Sequence, residues 1–111
     1  MTTWKVIWWD ESKKDLLKLD RSKEILVRKS IKKVSQNPLP VSEGGYGKPL
    51  GNKNNVNLTG CYKIKLTAAG IRIVYRLERT EHGMVIIIIG LRESSEVYDI
   101  AAKRIEKHNV K

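Results

Sequence analysis

From residue 84 to residue 89 the chain carries only Met, Val and Ile, an unbroken apolar run of strand length. A strand that is apolar at every position must be covered on both faces, so it belongs inside a sheet and not at its edge. The stretches before it alternate instead. Ile71, Ile73, Tyr75 and Leu77 interleave with Arg72, Val74, Arg76 and Glu78. Leu58, Tyr62, Ile64 and Leu66 fall on one face of the preceding run, with Cys61, Lys63 and Lys65 on the other. Side chains of a strand point alternately to its two faces, so each of these strands has one apolar face. Turn signals at Ala68-Ala69-Gly70 and Glu81-His82-Gly83 separate the runs, and strands joined by tight turns pair antiparallel.

The first half reads differently. Residues 4–9 are aromatic and β-branched and predict a strand. Asp10 offers an N-cap for a helix over 11–19 carrying Leu16, Leu17 and Leu19. Asp20 offers a second N-cap, for a helix over 21–36 with Val27, Ile31 and Val34 at helical spacing and Leu26 beside them. Asn37-Pro38 ends it, because the residue before proline avoids helical torsions. The short junction makes the two helices an antiparallel hairpin. Residues 38–55, rich in Gly, Pro and Asn, predict one long irregular segment with room for a short strand near 48–50; loops this long are often functional. Ser94 or Ser95 can cap a last helix whose stripe is Tyr98, Ala101, Ala102 and Ile105. The sum is a single α+β domain over residues 1–111. It has two layers, an N-terminal strand and helix hairpin packed on a mainly antiparallel sheet, with a C-terminal helix. The sheet face away from the hairpin would then present Lys63, Lys65 and Arg72 to solvent.

Charge narrows the partners. Lys and Arg number 22 against 12 Asp and Glu, a formal +10, with both halves of the chain basic. Such an excess on a small domain favours phosphate-rich ligands through counterion release. Cys61 is the single cysteine, which rules out an internal disulfide and a multi-cysteine metal site. The acidic residues are scattered, so no metal site and no cofactor is expected. The N-terminus lacks the pattern of a signal peptide, and no apolar run reaches membrane length; the expected location is the cytoplasm, with no membrane partner. Gly44-Gly45-Tyr46-Gly47-Lys48 resembles a phosphate loop only superficially, having neither the spacing nor a following helix.

The order of motifs is more specific than any one of them. Residues 58–66 read Leu-Thr-Gly-Cys-Tyr-Lys-Ile-Lys-Leu, 70–76 Gly-Ile-Arg-Ile-Val-Tyr-Arg, and 88–98 Ile-Ile-Gly-Leu-Arg-Glu-Ser-Ser-Glu-Val-Tyr, followed by Ala102, Lys103, Arg104 and Ile105. This arrangement resembles the RelE branch of the RelE/ParE toxin superfamily, strongly over residues 56–105 and compatibly before that. The resemblance implies the toxin of a type II toxin–antitoxin system that enters the ribosomal A site and cuts mRNA there. It implies catalytic roles for Lys63, Lys65, Arg72, Arg92 and Tyr98. It implies as partners the ribosome with its mRNA and a cognate antitoxin protein, with operator DNA bound only through the antitoxin complex. Leu91 and Ser94 stand where close relatives frequently carry basic residues.

The residue types suit the chemistry independently of the likeness. RNA can be cut without water or metal when its own 2′-hydroxyl attacks the adjacent phosphorus. A catalyst must take the hydroxyl proton, neutralise the phosphoryl oxygens and protonate the departing 5′-oxygen. Close like charges lower a lysine's pKa, so one of Lys63 and Lys65 can serve as base while its neighbours stay charged. Arg72 and Arg92 offer the planar fork that fits phosphate. Tyr98 can stack on a base, orient the hydroxyl or act as base itself, and core packing is a competing use of its ring. Alternating lysines can equally be the wet face of a strand, and Arg72 and Arg76 can serve as cross-strand charge partners of Glu78 or others, a use that suits Arg76 better than Arg72. Arg76 is nevertheless grouped with Lys48 and Lys53 as an RNA-contacting cation. His82 reads as a solvated turn residue and His108 as part of a frayed end. The alternatives are a ParE-like toxin that inhibits gyrase without cutting RNA, and a non-toxic RNA-binding protein on the same fold.

Overall fold

A computed structural model of the chain describes residues 3–53, 56–91 and 96–109. Strand β1 (Lys5–Trp8) leads into helices α1 (Asp10–Leu17) and α2 (Arg21–Ser35). Strands β2 (Lys48–Lys53), β3 (Val56–Leu66), β4 (Ile71–Glu78) and β5 (Gly83–Leu91) follow, then helix α3 (Glu96–Asn109). The order across the sheet is β1-β5-β4-β3-β2, with β1 parallel to β5 and every other pair antiparallel. The α+β architecture read from the sequence is the one observed.

The apolar run at 84–89 is indeed interior. Met84, Ile86 and Ile89 join the core under the helix hairpin, together with Leu16, Val27, Ile31, Ile73 and Tyr75. Ile87 and Ile88 join a second core with Val74, Val97, Tyr98 and Ala101. Two successive residues share a face because the pairing Val74–Ile88 is followed by Tyr75–Ile86, leaving Ile87 as a bulge. That second core belongs to α3. It lies on the face opposite the hairpin, so the expected open basic face is in part roofed by a helix.

A second irregularity corrects a face assignment. Simple alternation puts Leu58 beside Tyr62 and Ile64, but it packs with Cys61 on the α3 side. Pro49 pairs with Tyr62 and Gly51 with Leu58, so residues 59–61 of β3 stand opposite Leu50 alone. Gly60, at φ +87°, supplies the left-handed torsion that reverses the alternation.

The helix ends also have local causes. Asp20 Oδ1 accepts from the Lys23 amide at 2.9 Å, capping α2 as expected, and that bond holds the Asp20 carboxyl below the usual carboxylate range. At α1 the N-cap position is Trp9, one residue earlier than expected. Buried Ser12 accepts from the Trp9 amide at 3.1 Å and donates to the Trp9 carbonyl at 3.0 Å. The segment expected to be irregular is folded on itself. The fully buried Tyr75 donates its hydroxyl to the Pro38 carbonyl at 2.9 Å, and Gly47 bonds to Leu39 and Val41 through its amide and carbonyl. A Cβ on Gly45 would collide with the Leu39 carbonyl, so glycine there serves close chain contact and not phosphate. This closed loop delivers β2 to the sheet edge in a fixed register.

Candidate active site

The register of β2, β3 and β4 assembles the cations. Lys65 stands directly opposite Arg72, and Lys48 directly opposite Lys63. Residues directly opposed across a pair share a face, as do residues two apart on one strand. Lys48, Lys63, Lys65 and Arg72 therefore form a diagonal band on the α3 side of the sheet. Lys48 and Lys65 are exposed, while Lys63 and Arg72 are half-buried.

Helix α3 brings Tyr98 to the end of this band. Its ring is buried in the α3-side core, with 5% exposure. Its hydroxyl accepts from Nη1 of Arg72 at 2.5 Å, and the guanidinium carbon lies 5.1 Å from the ring centroid. Tyr98 thus serves packing and polar contact at once, so the two uses weighed for it coexist. Nε of Arg72 is shielded from solvent and meets no acceptor among the described residues. A planar guanidinium fixed on one side and flanked by Lys65 on the next strand can receive an anionic oxygen without first being ordered.

The helix comes this close because Gly90 has no side chain. Gly90 lies opposite Arg72 in the β4–β5 register, and a Cβ there would stand 2.6 Å from Cγ2 of Val97. The sequence carried Gly90 only as part of a motif, and nothing in its neighbours signalled that contact.

Other expected site residues are placed elsewhere. Arg76 is four residues along β4 from Arg72, roughly 13 Å at strand rise. Its guanidinium pairs with Glu78 at 3.3 Å and lies 5.2 Å from the Trp9 ring centroid. It lines a separate groove of about 430 Å³ with Leu58, Cys61, Glu78 and Ile105. The charge-partner use weighed for Arg76 is the one its geometry displays. Burial raises the Cys61 thiol in the same groove to about 11, which keeps it protonated at neutral pH. Lys53 ends β2 opposite Val56, at the far end of that strand from Lys48. Arg92, with the cap candidates Ser94 and Ser95, lies outside the described residues.

The histidines stand away from the band. His82 holds a left-handed turn (φ +52°) against the Trp4 ring, with centroids 4.9 Å apart. His108 is no frayed end. It stacks on Trp9 at 3.7 Å and 6° and contacts Glu11 at 3.1 Å. Among the described residues no three His, Cys, Asp or Glu side chains come together. No helix among them is long and apolar enough to cross a membrane.

Two residues to which sequence reasoning gave no role fasten α3. Asp15 on α1 and Arg104 on α3 form a bond of 2.7 Å with side chains only 14% and 18% exposed. They are 89 positions apart in the chain, and no local pattern could have paired them.

No protein-family model matches the sequence. A RelE-like toxin protein of Escherichia coli is 34% identical over 95 residues, spanning 86% of this chain and 90% of that protein. The mRNA interferase toxin RelE of Escherichia coli is 49% identical over 45 residues, 40% of this chain and 47% of that protein. Among solved structures, a mutant Escherichia coli toxin RelE in the free state superposes with a TM-score of 0.72 at 26% identity, covering 94% of this chain and 99% of that one. The same mutant in complex with an antitoxin RelBc peptide gives a TM-score of 0.67 at 26% identity, covering 93% and 98%.

Proposed function

The chain belongs to the RelE branch of the RelE/ParE toxin superfamily, and on that premise we propose that it is the toxin of a type II toxin–antitoxin system, an endoribonuclease that cuts mRNA in the ribosomal A site. One observation carries the reading: the Arg72 guanidinium, held by the Tyr98 hydroxyl, faces Lys65 across the β3–β4 pair. That arrangement offers fixed positive charge where a five-coordinate phosphorus would spread negative charge over its oxygens.

The step proposed needs no group from outside the chain. The 2′-oxygen bonds to the adjacent phosphorus as its proton passes to a neutral Lys63 or Lys65 or to Tyr98. The P–O5′ bond breaks, and the 5′-oxygen takes a proton from Arg92 or from the group that accepted the 2′ proton. The products carry a 2′,3′-cyclic phosphate and a 5′-hydroxyl. Lys63 stands directly opposite Lys48 across β2 and β3, so the two cations can meet the same stretch of RNA backbone. Arg72 would neutralise the phosphoryl oxygens, and Arg92 would stabilise the leaving oxygen. An acidic antitoxin would cover this +10 surface and silence it, a partnership supported by the antitoxin peptide bound to the related toxin.

The test uses translating ribosomes with mRNA carrying a single 2′-deoxy or 2′-methoxy nucleotide at the cut site. Loss of cleavage with retained binding is expected, together with cyclic-phosphate and 5′-hydroxyl ends on unmodified mRNA. A 5′-phosphate product would show that water attacked and would overturn the mechanism. Equal cutting of naked RNA would remove the ribosome from it, and gyrase inhibition without RNA cleavage would replace the reading altogether.

A further inference from the structure

Strand β1 stops at Trp8, opposite Ile86, so the upper part of β5 has no strand on that side. Its backbone groups are met there by side chains from both helical layers. The amide of Ile89 donates to Asp15 Oδ2 at 3.1 Å, and the carbonyl of Ile87 accepts from Arg104 Nη1 at 2.9 Å. The same Nη1 bonds Asp15 Oδ2 at 2.7 Å, and Nη2 reaches Asp15 Oδ1 at 3.3 Å. Asp15 comes from α1 and Arg104 from α3, on opposite faces of the sheet. Together they make a clasp around its edge, hooked to the strand at the β5 bulge.

We infer that Asp15, acting through Arg104, is a positioning residue that sets the placement of α3 and thereby the contact of Tyr98 with Arg72. The inference rests on the proposed ribonuclease site. Arg104 lies six residues beyond Tyr98 on the same helix, about 9 Å along its axis, close enough for a helix to transmit both axial position and rotation. At the other end Val97 sits against Gly90, one residue from the bonded Ile89 amide. The clasp and the Gly90 seat therefore hold α3 at two points on one stretch of β5. Tyr98 projects from the segment between them.

An ion pair largely withdrawn from water, as this half-buried one is, adds little net stability, because desolvation of both charges offsets their attraction. Its geometric demands are strict, however, since every donor and acceptor must be met. This pair ties a forked guanidinium, both carboxylate oxygens and two backbone groups into one set of bonds. Such a clasp specifies one placement of α3 against others that bury similar apolar area. Placement matters at this site because a displacement of about 1 Å at a reacting group can cost on the order of a hundredfold in rate.

The test compares Asp15→Asn and Arg104→Lys in the full chain, each alone and with Tyr98→Phe. The first readout is structural and independent of activity: solvent exchange of the Arg72 guanidinium protons and the ring-proton shifts of Tyr98, by NMR. Both variants are expected to speed that exchange and move those ring signals, with Arg104→Lys milder because it keeps the charge but loses the fork. Unmoved Arg72 and Tyr98 signals in both variants would overturn the inference. The second readout is single-turnover mRNA cleavage on ribosomes. Asp15→Asn is expected to slow it roughly tenfold with Tyr98 present and less than about twofold in the Tyr98→Phe background, the non-additivity of groups acting through one another. An equal loss in both backgrounds would mark Asp15 as a general stabiliser and overturn the inference. If the unaltered chain cuts no mRNA, the ribonuclease reading fails, and the NMR result decides the positioning claim by itself.

Discussion

Nη1 of Arg72 lies 2.5 Å from the hydroxyl oxygen of Tyr98, joining the middle of the sheet to the first turns of α3. The bond holds the guanidinium on one side and so presents a fixed positive charge to an incoming anion. Removing Arg72 with Ala should cost roughly 3 kcal/mol of transition-state stabilisation, comparable to loss of an oxyanion donor. Arg72→Lys should recover little, because an ammonium cannot bond Tyr98 and phosphate in one plane. Tyr98→Phe should fall between. Single-turnover cleavage on ribosomes measures all three, and wild-type rates for Arg72→Ala would displace the site from this end of the sheet.

Lys48 and Lys63 face each other across β2 and β3, so they should act as one patch toward the RNA backbone. Each lost phosphate contact lowers the slope of log affinity against log salt by about 0.7 for single strands. Lys48→Ala should show that reduction in titrations of a single-stranded oligonucleotide. Arg76→Ala should not, since its guanidinium is taken up by Glu78 and the Trp9 face. A reduced slope for Arg76→Ala with none for Lys48→Ala would reverse the path of the RNA across the sheet.

Gly90→Ala should force Val97 away from β5, at a cost of about 1–3 kcal/mol for overpacking. Val97→Ala also costs stability by leaving a cavity. The double variant should nevertheless be more stable than the sum of the two losses, because the new methyl then occupies space that Val97 vacates. Denaturant midpoints of the four proteins measure this, and strict additivity would show that the Gly90 contact does not control the seat of α3.

Acid should loosen the far end of α3. A hydrogen bond from Lys107, followed by the helix backbone of α1 and by His108, lowers the Glu11 carboxyl to about 2 from its ordinary 4.5. A carboxylate with a depressed folded pKa contributes its full stabilisation above the unfolded value. It loses that contribution as pH falls from about 4.5 through about 2. Amide protection factors over residues 104–109 should drop in that window, and Glu11→Gln should flatten the drop. An identical pH profile for Glu11→Gln would assign the acid response to other carboxylates.

Much of this protein follows from local pattern. The alternation at Ile71–Glu78 and the apolar run within Gly83–Leu91 specify strands and their order of burial, because period-2 patterning acts on nearest neighbours and on water alone. The Asp20 cap and the Val27, Ile31 and Val34 stripe specify α2 in the same way. Lys63 and Lys65 are legible as a same-face pair on β3, since two residues on one strand need no partner to share a side.

What the sequence could not decide depends on which distant segments meet. The face taken by α3 is set by packing area on the far side of the sheet, and it turns an open basic surface into a partly roofed one. The left-handed Gly60 sends Leu58 to that roofed side against its simple alternation. Lys48 enters the cation band only because the loop pinned by Tyr75 fixes the β2 register. Asp15 and Arg104 lie in helices whose own patterns are complete without them, and only the end of β1 leaves room for them to meet. Patterning chooses faces through the hydrophobic effect, which is non-directional, whereas the Arg72–Tyr98 contact depends on hydrogen-bond geometry that exists only once α3 closes on the sheet.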